Sequence, residues 1–129
     1  MRAIEKRIID YVRNSDFLDS SAYCGKSKDL STRDSVTLEK NTKRVYLHGN
    51  CIFTLDKENN VRFSFQGWQT NTTKGRINAL LLAFCSCSAG IYQKNYQLIF
   101  SCSAGEFPID SDKIYTIRNG KPEEAESIF

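Results

Sequence analysis

The chain has 129 residues, 40% hydrophobic and 12% aromatic, enough for one compact domain with its own core and too few for two. No apolar run reaches the roughly 18 to 20 residues that span a bilayer, and the opening MRAIEKRIIDYV is charged throughout rather than basic and then apolar. Membrane insertion and export are therefore not expected, and a cytoplasmic setting is. The formal net charge of +3 is unevenly spread. Residues 59 to 105 hold Arg62, Lys74, Arg76 and Lys94 and no acid, whereas residues 106 to 129 hold six acids, Glu106, Asp110, Asp112, Glu123, Glu124 and Glu126, against three bases.

Residues 3 to 14 place Ile4, Ile8, Tyr11 and Val12 on one helical stripe, with Glu5, Lys6, Asp10 and Arg13 for the wet side. Residues 15 to 35 are rich in Ser, Asp and Lys without periodicity and read as a loop or arm, anchored by Phe17, Leu18 and Tyr23. From Val36 the pattern turns to short β-type runs, SVTLEK, KRVYLHG, CIFTL and VRFSFQ. The last alternates Val61, Phe63, Phe65 against Arg62, Ser64, Gln66. Asp56 to Asn60, Asn41-Thr42 and Gly49-Asn50 supply turn chemistry for a meander.

The polar run GWQTNTTKGRIN at 67 to 78 then opens a helix. Asn71 or Thr72 is the expected N-cap, and Ile77, Leu80, Leu81 and Phe84 follow at helical spacing. YQLIFS and KIYTIR read as two further strands, EFPIDSD and RNGKP as turns, and PEEAESIF as a short helical or frayed acidic tail. The order predicts one α+β domain over 1–129: helix 1–14, arm 15–35, core 36–121 and tail 122–129. Its core is an antiparallel sheet of five to six strands with an amphipathic helix packed on it, rather than the strand-helix alternation of α/β folds.

The five cysteines, Cys24, Cys51, Cys85, Cys87 and Cys102, are odd in number, and without an export signal reduced thiols are expected. CSAG occurs at 87 to 90 and again at 102 to 105, each time as small residues before a glycine that permits positive φ. His48 and Cys51 have knuckle spacing but no second pair to complete a tetrahedral zinc set, so no metal or other cofactor is expected. As a nucleophile and base, these two point to opposite faces of a straight strand. No phosphate-binding glycine fingerprint is present, Thr73-Lys74-Gly75-Arg76 resembling a P-loop only in passing. Catalysis is not expected.

What remains is the helix start, where free N–H groups and the dipole favour an anion. Thr70, Thr72 and Thr73 add hydroxyls, and Lys74, Arg76 and, from the preceding strand, Arg62 add charge beside Trp68, a combination suited to a nucleic-acid contact surface. The plainer alternative makes Trp68 a lid on the core, the threonines caps and the bases solvated helix positions. Both readings stand on the sequence.

Residues 43 to 82, from a Leu-His-Gly-Asn turn through Gly67, Trp68, Thr70, Thr72, Thr73, Lys74, Arg76, Ile77 and Asn78, resemble a small domain carried by bacteriophages and prophages. The resemblance implies a phage or mobile-element origin and a bacterial host cell, and it names no reaction. Small phage proteins of this kind commonly act by binding, as anti-CRISPR and other anti-defence proteins do. The resulting expectation is a non-catalytic inhibitor of a host protein or nucleoprotein complex. A direct DNA- or RNA-binding accessory protein is the alternative, and a cysteine-dependent enzyme comes third.

Overall fold

The computed structural model describes residues 1–19, 25–85 and 88–129; Tyr23, Cys24 and Cys87 lie outside the described residues. Helix α1 (Ala3–Asn14) is followed by strands β1 (Lys26–Asp29), β2 (Asp34–Leu38), β3 (Thr42–Leu47), β4 (Asn50–Asp56) and β5 (Val61–Ser64). Helix α2 (Asn71–Phe84) then leads into β6 (Gly90–Lys94), β7 (Gln97–Cys102), β8 (Gly105–Ile109), β9 (Ile114–Arg118) and β10 (Lys121–Ala125). Seven strands pair antiparallel in the order β1-β2-β3-β4-β5-β9-β10, and β6-β7-β8 form a second, three-stranded sheet. The α+β class and both helices agree with the sequence reading. Among the described residues, ten strands in two sheets correct the expected five to six.

The meander is built on alternating strands around β4, which is buried along five consecutive residues. In β2 and β3 buried residues take every second position, and the register aligns Val36 with Val45, Val45 with Phe53, Phe53 with Phe63 and Phe63 with Tyr115. All five are buried, so one apolar row crosses five strands and faces α1 and α2. The small sheet closes on the same core through Ile91, Leu98, Phe100 and Ile109, with the Phe100 ring stacked on Phe63 at 6.0 Å between centroids.

Three expectations fail for local reasons. The arm at 15 to 35 contains β1, whose residues are all exposed, so it carries no alternation to detect. EFPIDSD contains most of β8, and β6 was not foreseen; each buries one residue, Ile109 and Ile91 respectively. The acidic tail is not helical at its start. Asn119 and Gly120, with φ of 54° and 77°, make a tight hairpin that folds Lys121–Ala125 back on β9, where Pro122 is tolerated because the strand is at an edge.

Lys43 shows how the helix layer is fastened. It is buried on β3, and its Nζ donates to Val12 O at 2.7 Å and to Ser15 O, placing a positive charge on the last carbonyls of α1.

Candidate functional site

The segment after β5 builds the site. Gln66 and Gly67 take left-handed φ of 53° and 79°, and Gly67 N donates to Ser111 O at 2.7 Å. This turn swings the next residue away from the sheet, leaving Trp68 60% exposed. Trp68 is therefore not a lid on the core, and that one of the two sequence readings is overturned. Gln66 ends the alternating run VRFSFQ and Gly67 begins the polar run, so the sequence pattern does not show the reversal of direction between them.

Thr70, not Asn71 or Thr72, caps α2. Its Oγ1 accepts from Thr73 N at 3.1 Å and lies 2.9 Å from Thr73 Oγ1. The first turn of α2 holds no acidic residue to offset the helix dipole. Around this terminus lies a cleft of about 500 Å³, with Leu47, Ile52 and Phe65 as an apolar floor. Thr70, Thr72 and Thr73 also line it, the exposed Trp68 stands at its lip, and His48 and Asn50 complete the rim. His48 reaches that rim because it and Gly49 form the left-handed β3–β4 turn, with φ of 52° and 78°. The cleft has the size and the apolar, sparsely polar lining of ligand pockets in general.

The expected basic members do not join it. Arg76 is 1% exposed and lies inside the protein. Its Nε donates to Asp34 Oδ1 at 2.7 Å, its Nη2 to Asp34 Oδ2 at 3.3 Å and its Nη1 to Glu5 Oε2 at 3.1 Å. Glu5, assigned to the wet side of its helix, is likewise buried. Burial alone would raise the Asp34 carboxyl, but the Arg76 guanidinium and the Ser31 hydroxyl outweigh it and hold the group below its ordinary value. Burial would lower the Arg76 pKa, and the two carboxylates outweigh it in turn. This cluster ties α1, α2 and β2 together. Its sequence signal was the spacing: Thr73, Arg76, Ile77, Leu80 and Leu81 share one stripe of α2, and Glu5, Ile8, Ile9 and Val12 share one of α1, so opposite charges sit on two apolar faces.

Arg62 does point outward from β5, but its Nη1 donates to Ser127 O at 2.7 Å and to Phe129 O at 2.9 Å. Lys74 stays half-exposed on α2. Of the seven predicted site residues, Trp68, Thr70, Thr72 and Thr73 are brought together, and Arg62, Lys74 and Arg76 are not among the cleft residues.

Cys51 is buried, its Sγ donating to Phe53 O at 3.7 Å, and burial pushes its thiol up to about 11. Among the described residues, no hydrogen bond joins it to His48, and no three His, Cys, Asp or Glu side chains group to hold a metal ion. No helix among them is long and apolar enough to cross a membrane.

No curated protein and no solved structure matches the chain. The model of the family described as Kyanoviridae Gp96 protein matches residues 1–117, nearly the whole length and including every cleft residue, and the chain belongs to this family of small bacteriophage-associated domains.

Proposed function

We propose that this phage-family protein acts by binding, and that the cleft at the start of α2 receives a segment of a host protein or nucleoprotein complex whose action it blocks. The observation that carries the reading is Trp68, 60% exposed at the lip of an apolar floor made by Leu47, Ile52 and Phe65. A large aromatic held out by a tight turn above a preformed pocket is the arrangement of an interface anchor. A host protein is favoured over bare nucleic acid by the fate of the bases. Arg76 is consumed by Asp34 and Glu5, and Arg62 by the carbonyls of Ser127 and Phe129. Affinity for a phosphate backbone comes from many cations acting together, and two of the three residues counted on for it are engaged within the fold.

The second reading, direct binding of single-stranded nucleic acid, draws on the same tryptophan as a stacking platform and on the α2 terminus with half-exposed Lys74 nearby. Affinity capture from host lysate, run with and without nuclease and repeated with Trp68→Ala, separates the two. A protein retained after nuclease and lost with Trp68→Ala supports the first. Quenching of Trp68 fluorescence by a purified oligonucleotide, weakening steeply with salt, would replace it with the second.

A further inference from the structure

The outer face of the large sheet, opposite the helices, carries the row Thr37, Arg44, Thr54, Arg62, Thr116, Glu123, one residue from each of six strands in register. Residues 127–129 lie across the middle of this row as a strap, with Phe129 N donating to Ser127 Oγ at 3.1 Å. Thr54 Oγ1 donates to Ile128 O at 2.9 Å, and Arg62 Nη1 reaches the carbonyls on either side of it, Ser127 O and Phe129 O. The Ile128 side chain is buried against the sheet, and the Arg44 guanidinium lies 3.8 Å from the centre of the Phe129 ring.

We propose that this face is a binding groove for an extended peptide segment of a partner protein, one carrying a branched aliphatic residue followed by an aromatic, and that residues 127–129 occupy it as a displaceable strap. Three observations bear on this. The polar contacts named go to main-chain oxygens of the strap, and selectivity comes from one apolar anchor and one ring, the division of labour by which grooves read extended peptides. Arg44, Thr54 and Arg62 all lie within the residues that match the family model, 1–117, and the strap lies outside that match. Finally, the cover is an imperfect occupant. Arg44 Nε is buried with no hydrogen-bond partner among the described residues, a donor that one more carbonyl or carboxylate on an incoming segment would satisfy. None of these groove residues lines the Trp68 cleft, so the two surfaces stand or fall separately.

The test uses the full chain and a fluorescein-labelled peptide of sequence PEEAESIF, followed by polarisation. Tethering gives the strap a high effective concentration, so the unmodified chain should bind the peptide weakly, and Ile128→Asp, which expels the anchor, should bind at least ~10-fold more tightly. Adding Arg62→Ala to Ile128→Asp should abolish that gain, as should replacing isoleucine by aspartate in the peptide. Should Ile128→Asp fail to fold by circular dichroism, Phe129→Ala, which removes a half-exposed ring, serves in its place. Equal, weak binding by a folded strap-lifted variant and the unmodified chain overturns the proposal. So does a concentration-dependent dimer of the unmodified chain that Ile128→Asp dissolves, since the occupant would then be the tail of a second copy.

Discussion

A Cβ built on Gly75 would stand 2.9 Å from Glu5 Oε2, so α2 is bare at the point where the α1 carboxylate passes it to reach Arg76. Glycine in a helix interior costs about 1 kcal/mol relative to alanine, and here that loss gives Glu5 its path. Gly75→Ala should therefore destabilise the protein by about 1 kcal/mol net, the displaced ion pair outweighing the propensity gain. Urea denaturation decides it. An increase in stability would mean that Glu5 moves aside freely.

Arg76 and Lys74 are two residues apart on α2 and should behave oppositely. Arg76→Met leaves Asp34 and Glu5 buried without their cation and should cost about 3–5 kcal/mol. Lys74→Glu on the half-exposed side should stay within about 0.5 kcal/mol. Reversing both charges at once would thus test folding rather than a binding surface. Equal melting temperatures for the two single variants would contradict the assignment.

Acid should act through Asp34. Its pKa in the fold lies below the ordinary 3.8, so the unfolded chain binds the proton more readily and falling pH favours unfolding. The stability it contributes is complete well above 3.8 and is lost as pH drops through that value toward the lowered one. Stability measured from about pH 6 down to about pH 2 should decline across that window. In Asp34→Asn the decline should be shallower, and an unchanged slope would assign acid sensitivity to other carboxyls.

Trp68 is the chain's one tryptophan, which makes its environment directly readable. Iodide should quench its fluorescence in the native state nearly as well as in urea. Trp68→Ala should change stability by no more than about 0.5 kcal/mol, far from the cost of emptying a core position. A blue-shifted, unquenched emission from the native protein would place the ring inside instead.

Much of the fold was determined by short-range pattern. Period-two alternation places β2, β3 and β5, a short apolar run places β4, and 3.6-residue periodicity places both helices, because each signal lies within a few neighbouring residues. The phage relationship was legible for the same reason, in the run from Gly67 to Asn78. The structure alone decided what the charges in that run do. Arg76 meets Asp34 and Glu5 across 42 and 71 positions of chain, and Arg62 meets Ser127 and Phe129 across 65 and 67. No local pattern specifies a partner at that distance. A basic residue looks the same in sequence whether it faces solvent or a buried carboxylate, and only the packing of α1 on α2, and of the strap on the outer face, decides between them. For Trp68 the sequence left both a core lid and an exposed contact open, and two consecutive left-handed residues, Gln66 and Gly67, turned it to the solvent.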